Sequence, residues 1–461
     1  MSKQGKYKQL FSNSILYSIG NFGSSAVSFL LLPLYTNALT TGQYGYIDII
    51  QTLIDLLLPI LSLNFADSIL RYTLGGKHSN KSIMTSVAIV PFMTLPLFYL
   101  CLLLISRMTN LHISPELLTF IFFLRINNDY FKQFSRGINK NIIFALNDII
   151  YTLVFALFNL LFLLYLKIGI SGYFFSMVIA LIVSNMFLII FSRIYAYFDF
   201  QSFSKDYFKE SLYYSFPLIP NTIMWWVMNA IDRYFILFFL GVESNGLYGI
   251  AYKLPSIVSI VTTIFSKAWQ ISAIKEYNKA DTEQFYNRVY SVLNSILVIF
   301  VSLMFCILPL FLNLFIGSSF RDVVHIIPFL FISVIFSSLS GFVGTNYLAS
   351  MKTTGAVKTS IVGGVANIIG NLLLMPLIGL SGAALSTALS FSIVLIYRIY
   401  DTRKLIQIHI TKVEIVKYFL LTMQATLLTL NTNYYIFQII IFLFIFLIEI
   451  KHYKKLTRGF S

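Results

Sequence analysis

"WWVMNAIDRYFILFF", residues 225–239, sets an aspartate beside an arginine in a run that carries no other charge. Even on a lenient insertion scale, a charge at the centre of a bilayer costs about 2.5–3.5 kcal/mol. The rest of the chain makes the bilayer the right reference. It is 57% hydrophobic and 11% charged, with a mean hydropathy of +0.80, where a soluble domain carries about 25% charged residues. Apolar runs of about 20 residues, the length that crosses the hydrocarbon core, recur from end to end. Fourteen spans are read, at 10–34, 44–66, 82–106, 115–135, 142–166, 170–195, 211–240, 246–270, 286–314, 323–349, 355–377, 383–399, 413–430 and 434–448.

The net charge of +15 is not spread evenly. Of the 33 basic residues, 27 lie on one side, in alternate loops or at the span ends beside them, 3 on the other (Arg107, Lys167 and Arg321), and 3 deep within spans (Arg125, Arg233 and Lys253). That is the positive-inside pattern, and it predicts both termini in the cytoplasm. The excess charge then faces anionic headgroups, and no nucleic-acid partner is called for. The first apolar segment is too long for a signal-peptide core, and no small-residue cleavage site follows it. Cys101 and Cys306 read as small hydrophobes within spans, and the five histidines show no ligand spacing. No metal site or organic cofactor is expected.

Two pairs of motifs repeat. "IGISG" at 168–172 joins spans 5 and 6, and "IGLSG" at 378–382 joins spans 11 and 12, an offset of 210. Aligning Tyr44-Gly45 of "QYGYID" on Tyr248-Gly249 of "LYGIAYK" gives an offset of 204. A six-span duplication follows, and an even number makes the copies parallel repeats about the membrane normal. The expected architecture is an all-α polytopic membrane protein with two parallel six-helix lobes around a central cavity. Residues 1–195 form the N-terminal lobe, 196–210 a cytoplasmic linker, 211–402 the C-terminal lobe, and 403–461 an additional helix pair with a basic cytoplasmic tail.

Within the spans, Asp232 lies eleven residues before the turn near Glu243 and Lys253 ten after it, so both are expected at one depth beside Arg233. Asp129 and Asp148 are equidistant from the turn at 138–139, and Arg125 precedes Asp129 by one helical turn. Asp48 and Asp55 share a face. Two readings stay open: paired charges that tie helices together, or groups facing a water-filled cavity, where intramembrane ionisable residues usually point. Arg233, Lys253, Asp232 and Arg125 are the candidate substrate-binding residues. Asp48, Asp55 and Asp129 are the candidates for coupling to H⁺ or Na⁺. Pro217 and Pro220 in "SFPLIPN" each remove a helical hydrogen bond, which makes them hinge candidates. Tyr44, Tyr46, Trp269 and Tyr286 read as interfacial anchors. Gly341, Gly344, Gly363, Gly364 and Gly370 read as sites of close helix packing.

The segments "LPLYTNALTTGQYGYIDI", "SFPLIPNTIMWWVMNAIDRYFI", "GLYGIAYKLPSI…FSKAWQ" and "YLASMKTTGAVKTSIVGGVANIIGNLLLMPLIGLSGAALSTALS" together resemble bacterial polysaccharide flippases of the O-antigen type. These belong to the multidrug/oligosaccharidyl-lipid/polysaccharide exporter superfamily. The resemblance covers about 13–398. It implies a V-shaped pair of lobes in the bacterial inner membrane, flipping an undecaprenyl-diphosphate-linked sugar unit outward by alternating access. It also implies membrane lipids and other polysaccharide-assembly proteins as partners. Asp232, Arg233 and Lys253 match the family's Asp-Arg and lysine. Asn37 stands where many relatives carry a basic residue after "PLYT", and the last two spans exceed the family's usual twelve.

Three rivals remain. A multidrug- and toxin-type cation antiporter shares the architecture, although the Asp-Arg and lysine signature speaks against it. An integral-membrane glycan polymerase or ligase needs reactive residues outside the membrane, and the outer loops are short and poor in ionisable groups. A passive scaffold leaves the intramembrane charges unexplained.

Overall fold

The computed structural model describes residues 27, 29–108, 113–216, 218–276, 282–350, 354–430 and 435–458, and their regular structure is helical. Among them, nine helices are long and apolar enough to cross a membrane. The first expected span lies mostly outside the described residues. The fourth, α6 (Pro115–Gly137), is a continuous helix whose Arg125, Asp129 and Lys132 lower its hydropathy. Contacts divide the chain into two units, Met1–Leu39 with Ile47–Trp226, and Thr40–Tyr46 with Val227–Ser461.

In the first unit, α1 (Leu32–Ala38) is followed after two residues by α2 (Thr41–Leu61), whose start, up to Tyr46, is counted with the second unit. A break then leads into α3 (Phe65–Gly75), with Leu63 and Asn64 at φ of 50° and 52°. Left-handed backbone is unfavourable for leucine, and the break strips helix partners from the last carbonyls of α2. Side chains from elsewhere take them. Thr94 Oγ1 donates to the Leu61 carbonyl at 2.8 Å and Tyr130 Oη to that of Ser62 at 2.6 Å.

The third span is split into α4 (Asn80–Val87) and α5 (Ile89–Met108), because Pro91 has no N–H for the Val87 carbonyl. After α6, α7 (Asn141–Asn159) ends in a π-helical turn, Leu160–Tyr165, and α8 (Gly169–Phe191) follows. The linker region, 196–210, leads into α9 (Lys205–Ser215), capped by the Ser204 hydroxyl, which accepts from Tyr207 N at 3.1 Å. Tyr207, Ser211 and Ser215, four apart, form its buried face. Tyr207 packs edge-on against Tyr72 and His78. Glu210 accepts from Lys77 Nζ at 2.5 Å and from His78 Nε2 at 3.1 Å, pinning α9 to the α3–α4 turn. The Lys77 bond, then the His78 bond, hold the Glu210 carboxyl below its ordinary value.

The first unit ends within α10 (Leu218–Ala230), at Trp226; in the second unit α11 (Asp232–Glu276), α12 (Thr282–Phe315), α13 (Ile327–Ala349) and α14 (Thr354–Thr402) follow. Two of these helices fold back on themselves. Asp232 and Tyr248 would stand about 24 Å apart along a straight helix, yet they hydrogen-bond at 2.8 Å, so α11 reverses at Gly241, φ 85°. Asn367 and Ser386 likewise bond at 2.9 Å across Ile378–Gly379 of α14. The repeated motifs share this geometry, with Gly169 at φ 57° and Gly379 at φ 60°. A Cβ on Gly382 would strike the Leu374 carbonyl, and one on Gly172 would meet the Ile168 side chain at 2.9 Å.

Finally, α15 (Lys412–Leu430) and α16 (Tyr435–Arg458) pack against α12. Glu414, Lys417, Leu421, Gln424 and Leu428 form a buried seam in the alternating three-four spacing of a coiled coil. Its polar members meet partners. Glu414 accepts from Asn294 Nδ2 at 3.2 Å, and Lys417 pairs with Glu449 at 2.7 Å, with Ser295 Oγ donating to the same carboxylate at 2.7 Å. Gln424 accepts from Ser302 Oγ at 2.7 Å and donates to the Gln438 carbonyl at 3.1 Å.

Several sequence expectations change here. Tyr44, Trp269 and Tyr286 are not interfacial anchors: all three are buried, and Trp269 stacks on Phe342 at 4.4 Å while donating to Thr345 Oγ1. Lys417 and Arg398, counted among the cytoplasmic charges, are interior. Arg398 is fixed by the Ser340 carbonyl and the hydroxyls of Ser340, Thr359 and Ser360. A Cβ on Gly344 would lie 2.7 Å from its guanidinium, which explains that glycine, and Gly370 similarly clears Ser386. Gly341 has open space around it. Cys306 is buried and Cys101 exposed.

Candidate functional site

The tight turn at Gly241 moves the centre of the α11 hairpin two residues earlier than the sequence reading. Asp232 is then nine residues before the turn and Lys253 twelve after, about 4.5 Å apart in depth. Tyr248, not Lys253, stands opposite Asp232. The carboxylate is only 2% exposed. It accepts from Tyr248 Oη at 2.8 Å, Thr387 Oγ1 at 2.5 Å and Asn371 Nδ2 at 2.6 Å. One aspartate thus joins both arms of α11 to both arms of α14. Three neutral donors satisfy the acceptor oxygens of a buried carboxyl group.

The knot extends through Asn367, whose Nδ2 donates to Thr387 Oγ1 at 3.3 Å and whose Oδ1 accepts from Asn371 at 3.1 Å. Asn371 Oδ1 is buried with no hydrogen-bond partner. The knot gathers carboxylate, amide and hydroxyl oxygens, the donor type that suits a hard cation such as Na⁺.

Arg233 turns elsewhere. Its Nη1 donates to the Asn229 carbonyl at 3.2 Å, and its guanidinium lies 4.8 Å from the Tyr252 ring centre and 5.9 Å from that of Tyr248. Lys253 Nζ lies 5.7 Å from the Tyr44 ring centre. Aromatic faces thus share in stabilising both cations. Close backbone contact brings Tyr44 there. A Cβ on Gly45 would strike the Val242 carbonyl, one on Gly246 would strike that of Thr41, and Asn245 Nδ2 donates to the Gly45 carbonyl at 3.1 Å.

The first unit carries the second group of charges. Arg125 Nη2 is 3.9 Å from Asp55, whose side chain is 60% exposed. Lys132 pairs with Asp148 at 2.5 Å. Asp129 has Lys132, Arg125, Asp148 and Asp55 as charged neighbours, so three acids stand with two bases. Tyr151 and Tyr173 flank Arg125, and Gln51 Nε2 donates to Tyr173 Oη at 3.3 Å. Asp48 is half-buried one helical turn before Thr52, whose hydroxyl bonds the Asp48 carbonyl. Pro220 is exposed in α10, and Pro217 lies outside the described residues. Tyr248, Asn367, Asn371 and Thr387 were not among the candidate site residues read from the sequence. A neutral residue in a span becomes a candidate only once its charged partner is known.

A family model described as "Polysaccharide biosynthesis protein" matches residues 10–270, more than half of the chain. The chain belongs to that family. It is 25% identical over 270 residues to "Lsg locus putative protein 1" of Haemophilus influenzae, a match spanning 56% of this chain and 65% of that protein. The fold matches the lipid II flippase MurJ in an inward closed conformation with a TM-score of 0.70 at 15% identity, covering 96% of this chain and 100% of the other. It also matches an inward-facing multidrug resistance MATE family transporter of the MOP superfamily, with a TM-score of 0.61 at 12% identity over 91% and 96% of the two chains. The protein is therefore a multi-pass membrane protein of polysaccharide biosynthesis with the fold of the MOP-superfamily transporters.

Proposed function

We propose that the chain flips an undecaprenyl-diphosphate-linked oligosaccharide, an O-antigen or similar surface-polysaccharide repeat unit, from the cytoplasmic to the outer leaflet of the bacterial inner membrane. The supporting observation is the set of ionisable side chains kept at membrane depth by a member of a polysaccharide biosynthesis family. The substrate's charged head has to cross low dielectric while its prenyl tail stays in lipid. Arg233, Lys253 and Arg125 are the proposed donors to the diphosphate, because charge-assisted hydrogen bonds to phosphate oxygens are the strong ones. Two lobes, 1–195 and 211–402, alternate access to the cargo, with Pro217 and Pro220 as the bending points.

Ion coupling has two proposed sources. In the first unit, Lys132 is engaged with Asp148 and Arg125 with Asp55. Asp129 is left as the third acid against two bases, the one whose charge a proton would cancel; Asp48 and Asp55 complete that set. In the second unit, Asp232 serves a cation or proton through the orphaned Asn371 oxygen rather than touching cargo.

Arg233→Ala and Lys253→Ala are expected to abolish surface-polysaccharide export, with lipid-linked intermediate accumulating in the inner leaflet and the protein still inserted. Normal polysaccharide in both variants would remove these residues from the mechanism. The fold likeness to a multidrug resistance transporter favours one alternative, a cation antiporter. Raised resistance to cationic dyes on overexpression, with glycan export unchanged on deletion, would select it.

A further inference from the structure

Between α5 and α6 the first unit carries a groove of about 520 Å³, within the range of ligand pockets. Pro91, Leu95 and Pro96 line one wall, and Thr119 and Phe123 the other. The proline that divides α4 from α5 thus also shapes this wall. The Thr119 hydroxyl is bonded to the Pro115 carbonyl at 2.8 Å, so the walls offer almost nothing but carbon. One end is different. Tyr99 Oη donates to Glu116 Oε1 at 2.9 Å, and the Glu116 side chain is exposed at the rim.

We propose that this groove holds one acyl chain of an amine-headed zwitterionic phospholipid, such as phosphatidylethanolamine, with the ammonium on Glu116. An ionised carboxylate only accepts hydrogen bonds, and its roughly four lone-pair sites leave room for one more donor beside Tyr99, the Ser114 hydroxyl and the Glu116 N–H. A primary ammonium supplies that donor and the opposite charge. A choline head has no N–H to give. Anionic heads, including a prenyl diphosphate and phosphatidylglycerol, meet a like charge at the rim, which separates this groove from the path of the proposed cargo.

Native mass spectrometry of the detergent-purified full chain, titrated with phosphatidylethanolamine, phosphatidylcholine or phosphatidylglycerol, tests the assignment. Wild type is expected to retain phosphatidylethanolamine about fivefold better than phosphatidylglycerol, the scale of one partly exposed ion pair. Glu116→Gln should bring the two lipids within about twofold of each other while leaving the unfolding temperature unchanged. A phosphatidylethanolamine with a photoreactive acyl chain should label residues 89–123 in wild type, and less so in Leu95→Trp, which fills the groove. Equal retention of the two lipids by wild type, a preference surviving Glu116→Gln, or labelling confined to other segments would each overturn the proposal.

Discussion

Each unit contains a buried polar node where helices meet, and the two nodes are built on opposite principles. In the first unit it is neutral. Asn128 Nδ2 donates to Ser184 Oγ at 2.8 Å and Asn185 Oδ1 at 3.1 Å, Ser184 Oγ donates to Asn147 Oδ1 at 2.8 Å, and Asn185 Nδ2 donates to the Leu124 carbonyl at 2.9 Å. These amides satisfy one another, and the unit's charges lie apart in a partly exposed group around Arg125 and Asp129. In the second unit the charge itself is the node. Asp232 draws in three donors and leaves the Asn371 oxygen without one. A neutral network can close on itself, whereas a carboxylate draws donors to itself and leaves the acceptor on the same amide unmatched. Buried polarity in the first unit fastens helices through neutral amides, and in the second it fastens them around an acidic side chain.

The largest expected effect tests that contrast directly. Asp232→Ala removes three hydrogen bonds to a charged group, at about 1.5–3 kcal/mol each, and leaves the Tyr248 hydroxyl without an acceptor, while Asn371 keeps the Asn367 oxygens and Thr387 the Ala383 carbonyl. Thermal unfolding in detergent should fall by several kcal/mol, and any stabilisation of wild type by Na⁺ over K⁺ should vanish. Retention of a Na⁺ effect in the variant would move the cation elsewhere.

Lys417→Met comes next. It leaves Glu449 charged in a buried seam and should destabilise the chain by about 3 kcal/mol. Adding Glu449→Leu should recover most of that loss, because an apolar pair replaces the ion pair. A double variant no better than the single would mean the ion pair stabilises beyond what packing can replace.

Asn128→Ala, in the neutral node, should cost about 1–2 kcal/mol and leave any Na⁺ response intact. A lost response there would erase the distinction between the units. The smallest effect belongs to the surface. Because the Glu210 carboxyl is held low by Lys77 and then His78, its contribution is fully present above the ordinary carboxylate range and is lost as pH falls through the folded value. Glu210→Gln should lower the neutral plateau slightly and flatten the acid limb of the stability profile, leaving stability at low pH nearly unchanged. An unaltered acid limb would show that α9 is held without this contact.

Much of the fold was legible because the bilayer leaves few choices. Unbonded backbone cannot face lipid, so long apolar runs must be helices, and "IGISG" and "IGLSG" marked the turns that Gly169 and Gly379 make. The terminal pair was legible as helices, but not its seam. Glu414, Lys417 and Gln424 recur at coiled-coil spacing, yet their meaning depends on Asn294, Ser302 and Glu449, more than a hundred residues before or some tens after. The candidate site divides in the same way. Asp232 and Arg233 stood out as charges in an apolar run, and their neighbours did not.

The sequence by itself determined a membrane-embedded helical chain, its duplicated turns, and which charges had to be accounted for, since hydrophobicity and charge are properties of residues taken one at a time. Only the tertiary structure decided where those charges go. A turn shifted by two residues exchanged Lys253 for Tyr248 opposite Asp232, because helical depth changes by about 1.5 Å with every residue. Partners are a matter of distance between segments, and no single segment contains that distance.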